Sequence, residues 1–394
     1  MARMTAGAME EIRGARIAHL IETDGPGGAE RVVAEMAGAF AAGGCPGVAF
    51  LPRNREGWLS RELAAVGVQV EHYRLDRPFS PRCVREMAAA FRAHRIDIAH
   101  SHEFTMAIYN AWAARRARIP HIITMHGSRY YAARLQRRIA MRFAVTSSSG
   151  VVAVSHDLAA HMRRDLHVRH AAIDVIPNGV RARPLPHPTL RRELGLAPDD
   201  RVILAVGNLY PVKGHLHLIE ALALLPAGAR AHVVIAGRGA LAAELEARAA
   251  SLGVQARLHL LGLRADIPNL LADADLFVHP SLAEGLPLAL LEAMFAGRAI
   301  VASDVGEIGG ALGGGAGVLV PAGDAPALAA CMARLLDAPL EVRALGAAAA
   351  RRAASAYGLD SMVARYARIY GNVLSRPGDV RRTASEPALP APAS

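Results

Sequence analysis

Apolar residues in the first half of the chain alternate between short β-branched runs and longer stretches spaced for one face of a helix. ARIAHLI (15–21) precedes GAERVVAEMAGAFAAGG (28–44), GVAFL (47–51) precedes a helical pattern near 59–66, and VQVEHYR (68–74) precedes PRCVREMAAAFRAH (81–94). The rhythm continues through IDIAHS, IPHIITMHG, GVVAVS and IDVIPNG. Continuous apolar strands alternating with amphipathic helices specify a parallel sheet covered on both faces. RARPLPHPT (181–189) interrupts this with three prolines and reads as an interdomain linker. The alternation then restarts with RVILAVG, AHVVIAG, RLHLLG, DLFVHPS, AIVASD and GVLVPAG, each followed by a helical run.

The pattern predicts an α/β protein of two Rossmann-like domains, residues 15–182 and 183–356. LDSMVARYARIYGNVL repeats apolar residues at Met362, Val363, Tyr366, Ile369, Tyr370 and Val373 and predicts a last helix over 359–375. Residues 376–394 are rich in Pro, Ala and Ser with little to bury, and are expected to be a disordered tail.

Composition narrows the setting. A chain of 394 residues with 52% apolar content can supply two cores. The first fifteen residues carry Glu10, Glu11 and Arg13 and lack an apolar core, and the longest uncharged stretch (308–323) is glycine-rich and short for a bilayer. A cytoplasmic protein is expected. Cys45, Cys83 and Cys331 are odd in number and far apart, which fits reduced thiols. The net charge of +10 favours anionic partners, yet with 5% aromatics and no basic run interleaved with them, no nucleic acid is expected. In residues 129–143, Arg134, Arg138 and Arg142 recur every four residues beside Leu135, Ile139 and Phe143. This basic amphipathic helix suits either an anionic membrane surface or a solvated face.

Of 45 Lys and Arg residues only Lys213 is a lysine, and it lies between the strand run RVILAVG and the helical run GHLHLIEALALL. A strand-to-helix loop at the carboxyl edge of a parallel sheet is where ligands collect, and a compact ammonium there suits phosphate. Further on, DLFVHPSLAEGLPLALLEAMF puts Glu284 in a loop, Pro287 in the first turn of a helix and Glu292 in its second turn. Free helix N–H groups would hold an anion and two carboxylates would accept from hydroxyls. Phosphate with sugar hydroxyls describes a nucleotide sugar.

These motifs resemble those of retaining glycosyltransferases of family four over residues 15–375, and the resemblance implies the GT-B fold, two Rossmann-like domains facing across a cleft. The Gly-Gly-Ala-Glu loop is matched by Gly27, Gly28, Ala29 and Glu30, and Thr-x-His-Gly by Thr124, His126 and Gly127. Asn-Gly-Val is matched by Asn178, Gly179 and Val180, Lys-Gly by Lys213 and Gly214, and the glutamate pair by Glu284 and Glu292.

The resemblance implies that Lys213 binds the donor diphosphate, Glu292 the ribose, and Glu284 with the backbone of Gly285, Leu286, Pro287 and Leu288 the transferred sugar and phosphate. His126 would contact that sugar from the acceptor-side domain. Catalytic roles then fall to His126, Lys213 and Glu284. Gly28, Asn208 and Gly214 complete the donor site, and the partners are a nucleotide-sugar donor and a glycan or lipid-linked acceptor. The last helix would return to the first domain, as in GT-B folds. Two positions depart from the pattern. Asn208 replaces the usual arginine of Gly-Arg-Leu, leaving Arg238 or an arginine of the other domain to supply a second cation. Gly309 and Gly310 replace the usual Pro-Glu. A GT-B nucleotide-sugar epimerase and a non-catalytic anion-binding homologue are the competing readings, the latter favoured by Asn208 and Gly310.

Several residues carry structural readings as well. His100 and His102 end a strand run without an identifiable third ligand. Asp273 and Asp275 form the Asp-x-Asp that holds a metal in other glycosyltransferases, but Asp275 begins a strand instead of ending one and reads as a cap. No metal or other cofactor is expected. Gly237 and Gly239 are a fragment of a dinucleotide fingerprint only.

Overall fold

The computed structural model describes residues 7–53, 57–75, 79–127, 130–168, 173–226 and 228–375. The proposed tail, 376–394, lies outside them. Each strand run of the sequence forms a strand: β1 (Ile17–Leu20), β2 (Gly47–Pro52), β3 (Gln69–Tyr73), β4 (Ile98–His102), β5 (His121–Met125), β6 (Gly150–Ala153) and β7 (Ile173–Val175) in the first half. The second half has β8 (Arg201–Val206), β9 (Ala231–Ala236), β10 (Leu258–Gly262), β11 (Leu276–His279), β12 (Ala299–Ser303) and β13 (Val318–Val320).

They pair in parallel as β3-β2-β1-β4-β5-β6-β7 and β10-β9-β8-β11-β12-β13, two doubly wound sheets. In each sheet the order reverses beside the first strand, between β1 and β4 and between β8 and β11. Loops leaving the carboxyl ends of those strands diverge, which opens a crevice there. Gly27 and Gly28 follow β1, Lys213 follows β8 and Glu284 follows β11. The sheet topology thus aims three predicted site segments at switch points.

The central strands are buried on both faces because helices cover both. The last helix, Leu359–Leu374, packs not on the second sheet but against the first, where Met362, Val363, Tyr366 and Tyr370 join Ile17, Ile98 and Ile122 in one core. Its return is fixed by Val180, which donates to the Tyr357 carbonyl and accepts from the Leu359 amide. The three cysteines are free and buried.

The basic helix is corrected in extent. Residue 129 lies outside the described residues; Tyr130–Ala133 forms a 3-10 turn and the α-helix runs Leu135–Ser147. Arg138 and Arg142 donate to the carbonyls of Asp165, Leu166 and His167, at the C-terminal end of the helix His156–Asp165. Cations there satisfy orphan carbonyls and oppose the negative end of the helix dipole. Leu135 and Ile139 stand 67% and 61% exposed on the helix whose Phe143 stacks on Trp112.

Candidate active site

Lys213 ends a short 3-10 turn, Pro211–Lys213, that leads into the helix His215–Leu224. Gly214 makes the sharp reversal at φ +66°, and a Cβ there would lie 2.0 Å from the Pro280 carbonyl oxygen, so only glycine fits. The turn delivers Lys213 Nζ to 2.5 Å from Glu284 Oε1. The same oxygen meets His279 Nε2 at 3.0 Å and accepts from Ser281 Oγ at 2.8 Å. Burial pushes the Glu284 pKa up, but His279 and Lys213 outweigh it and hold the carboxyl down to about 2. Glu284 is therefore a fixed, ionised acceptor.

From Glu284 the chain runs through Gly285 and Leu286 to the helix Leu288–Phe295. Pro287 is its N-cap, with ψ 132°, and not a first-turn residue as its sequence position suggests. The loop is locked from behind by Gly306, at φ +54°, whose absent Cβ would fall 2.0 Å from the Glu284 carbonyl oxygen. One turn into the helix, Glu292 Oε1 accepts from Arg31 Nη1 at 2.6 Å, a pair that bridges the two domains. Burial raises the Glu292 pKa against the opposing pull of Arg31 and Arg183.

The facing wall is built from imidazoles. His126 follows β5, and its amide donates to Glu103 Oε1 at 2.8 Å. Its Nε2 lies 3.0 Å from His102 Nδ1, and His102 Nε2 lies 3.5 Å from His19 Nδ1. Parallel pairing sets His19 of β1 beside His100 of β4, and Tyr370 and Thr124 engage both ring nitrogens of His100, at 2.7 and 2.8 Å. Burial lowers the pKa of His126 and of His19 to about 4, with a smaller opposing effect of Asn178 on His126. These rings are neutral near pH 7.

His19 is the third imidazole that the sequence left unidentified: His19, His100 and His102 each offer a nitrogen within 4.8 Å of the others. A metal on His100 would have to displace either Tyr370 or Thr124, so the donor set fits a hydrogen-bonded network better than a metal centre. The Asp-x-Asp pair is structural in its contacts. Asp275 Oδ2 accepts from Arg191 at 2.6 Å and from the Val202 amide at 2.8 Å, and Asp273 Oδ2 accepts from the Arg191 amide at 3.0 Å. Gly237 and Gly239 serve close approach, since side chains there would run into the carbonyls of Gly207 and Leu209.

A cavity of about 300 Å³ joins both walls. Of the predicted residues, Gly28, His126, Asn208, Lys213, Glu284, Gly285, Leu286, Pro287, Leu288 and Glu292 line it. Gly214 does not, and its part is the turn beneath Lys213. Arg238 does not line it either, whereas Arg31 and Arg264 do. Arg264 is held by Glu193 and Asp266 and Arg31 by Glu292, so both cavity arginines already carry carboxylate partners, and only Arg31 comes from the other domain. A larger neighbouring cavity, about 920 Å³, shares Arg31 and Trp58 but none of the predicted site residues.

Residues 26–183 match the family described as Glycosyltransferase Family 4, and residues 187–352 match Glycosyl transferases group 1. The D-inositol 3-phosphate glycosyltransferase of Thermobispora bispora is 31% identical over 73% of this chain and 73% of its own. The chain belongs to glycosyltransferase family four. A second relative of this family-four enzyme, the UDP-Gal:alpha-D-GlcNAc-diphosphoundecaprenol alpha-1,3-galactosyltransferase of Escherichia coli, is 32% identical over 54% of this chain and 59% of its own length. Among solved structures, HepE of Anabaena with UDP and glucose superposes with a TM-score of 0.79 at 23% identity, covering 91% of this chain and all of HepE. Sucrose-phosphate synthase of Thermosynechococcus elongatus gives 0.76 at 21%, over 91% and 99%. Those likenesses show the GT-B fold. The protein is a glycosyltransferase.

Sequence reasoning missed His279 and Ser281 as the partners of Glu284, Arg31 as the partner of Glu292, and His102 and His19 behind His126. His279 did carry a signal, a lone imidazole closing the apolar run DLFVH.

Proposed function

We propose that this glycosyltransferase moves a sugar, with retention at the anomeric carbon, from a nucleoside-diphosphate sugar to a hydroxyl of a glycan or lipid-linked acceptor. Bacterial polysaccharide, lipopolysaccharide or glycolipid assembly at the cytoplasmic face is the proposed setting. The observation that carries this reading is the convergence in one cavity of Lys213, the N-terminus of the helix Leu288–Phe295, and the carboxylates Glu284 and Glu292.

As the bond from the anomeric carbon to the diphosphate oxygen breaks, negative charge grows on the leaving group. Lys213 and the helix N-terminus are placed to stabilise it, and aimed, desolvated charge of this kind is often the largest catalytic contribution. Glu284 meets three donors on one oxygen and Glu292 is paired with Arg31, so neither is a free nucleophile. Attack of the acceptor hydroxyl on the face the diphosphate leaves, with its proton passing to a donor phosphate oxygen, balances the reaction. Lys213 and the helix supply the positive charge a metal would bring, and the step is proposed to need none.

The test is thermal unfolding with UDP, GDP, ADP and their sugars on the wild type and on Lys213→Ala. Ligand at 100 times its Kd stabilises by about 2.7 kcal/mol. One nucleotide series should shift the wild type and fail to shift the variant. UDP is the first to try, given its presence with HepE and the UDP-Gal named for the E. coli relative.

No described helix is long and apolar enough to cross a membrane. Contact with an anionic membrane is proposed through exposed Leu135, Ile139 and Trp112, with Arg115 and Arg116 exposed on the same helix as Trp112. Ile139→Ser should weaken sedimentation with phosphatidylglycerol vesicles about fivefold, since burying a side chain of that size is worth about 1.5–3 kcal/mol in full. Unchanged sedimentation would remove the membrane from the proposal.

A further inference from the structure

The loops of the two sheets meet across the cleft strand by strand. After β5 and β11, a Cβ on Gly285 would stand 3.8 Å from the His126 carbonyl oxygen. After β6 and β12, the Asp157 amide donates to Glu307 Oε1 at 3.0 Å. Continued along the orders β3-β2-β1-β4-β5-β6 and β10-β9-β8-β11-β12, the same alignment sets the loop after β2 opposite the loop after β10. The cavities agree. Trp58, which follows β2, lines the donor cavity together with Leu263, Arg264 and Ile267, and lines the larger cavity together with Ala265.

Trp58 is fixed in that position by its own loop. It opens the helix Trp58–Ala65, and its amide donates to the Asp24 carbonyl at 2.9 Å. The buried Asp24 carboxylate accepts from the amides of Gly57 and Ser60 and from Ser60 Oγ, at 3.0, 2.8 and 2.6 Å. A Cβ on Gly57 would fall 2.2 Å from Asp24 Cγ, so the turn before the indole has room only for glycine. The indole packs partly buried on the core of Val33, Leu59 and Leu63, and the cavity takes what remains of it.

Order along the cleft decides what it meets. Glu284 follows β11 and Lys213 follows β8, and the loop after β10, with Trp58 opposite, lies further in the same direction. A nucleoside-diphosphate sugar laid with its sugar at Glu284 and its diphosphate at Lys213 therefore carries its base to the Trp58 end. Every base has a π-face, and an aromatic side chain beside it gains both buried area and stacking.

We propose that the Trp58 indole stacks on the nucleobase of the donor from the N-terminal domain, with Leu263 and Ile267 as the apolar surface on the other side. The inference rests on the nucleotide-sugar reading above. The base is then held between the two domains and not on one of them.

The experiment titrates UDP, GDP, ADP and inorganic pyrophosphate into the full chain by calorimetry, for the wild type, Trp58→Phe and Trp58→Ala. In Trp58→Ala the nucleotide that binds should weaken about five- to thirtyfold, the range for losing one stacked base, while pyrophosphate, which has no base, should bind as it does to the wild type. Trp58→Phe keeps a flat ring and should stay within about threefold of the wild type. The chain has two tryptophans, so Trp112→Phe leaves Trp58 as the sole indole, and its fluorescence should be quenched by the nucleotide and not by pyrophosphate. An unchanged nucleotide affinity in Trp58→Ala, the same loss in Trp58→Phe, or an equal loss for pyrophosphate would overturn the stacking. So would an indole that the bound nucleotide leaves unquenched. If no nucleotide binds the wild type at millimolar concentration, it is the nucleotide-sugar reading that fails, and the stacking falls with it.

Discussion

The two walls of the cleft bury polar groups by opposite means. The C-terminal wall opposes charges: the Lys213 ammonium on the Glu284 carboxylate, and Glu292 on an arginine reaching over from the other domain. The N-terminal wall buries His19, His100, His102 and His126 as neutral rings linked by hydrogen bonds. A charged wall can exchange its partners for a charged ligand at little cost, because each charge finds another. A neutral wall is rigid and has only hydrogen-bond direction to offer. The proposed function puts the donor diphosphate on the charged side.

The sharpest way to break this contrast is to remove the one lysine. Lys213→Ala should lower the turnover of donor by about 10² to 10³, the usual effect of losing one group aimed at transition-state charge. It also strips Glu284 of its nearest cation. A rate within threefold of wild type would mean that the charged wall does not face the leaving group.

Acid should separate the walls next. His19 and His126 have pKa values near 4 when folded and His121 near 3, each from desolvation, while unfolded histidine titrates near 6.5. Their stability contribution is whole above pH about 6.5 and is lost as the pH falls toward 4, at about 1.4 kcal/mol per pH unit for each ring. Glu284, depressed to about 2, loses its contribution only below the ordinary carboxyl range, as the pH falls from about 4.5 toward 2. Urea unfolding from pH 8 to pH 4 should therefore show a steep decline that His121→Gln flattens. A flat profile would mean the imidazoles are not buried neutral.

The same contrast governs what could be read from the sequence. Strands and the last helix were legible because each carries its own apolar period, and the ends of the last helix, Leu359–Leu374, fall where the pattern stops to within one residue. Lys213, Glu284 and Glu292 were legible because a loop beside a helix start is a local signal. The histidine wall was not. His19, His100 and His126 come from three strands or the loops after them, and only parallel pairing of β1, β4 and β5 makes them neighbours. Gly214 does not line the cavity and shapes the turn beneath Lys213, a distinction that residue spacing alone does not make. For Arg138 and Arg142 helical spacing shows a stripe but not the carbonyls beyond the helix that these residues reach.

Arg31 is where the walls meet, and its removal should give the smallest effect. Burial raises the Glu292 pKa and Arg31 is the strongest force opposing that rise. In Arg31→Gln the carboxyl should hold a proton at higher pH, and a protonated carboxyl is a poorer acceptor for a ribose hydroxyl. At pH 8 the nucleotide affinity should fall by no more than about threefold, because both residues are partly exposed and such pairs are individually weak. As the pH is lowered the variant should weaken at a higher pH than the wild type does, since Arg31 opposes the rise that burial imposes on Glu292. Parallel pH profiles would show that Glu292 ionises without help from across the cleft. Under the proposed function the two walls would then act on the donor independently.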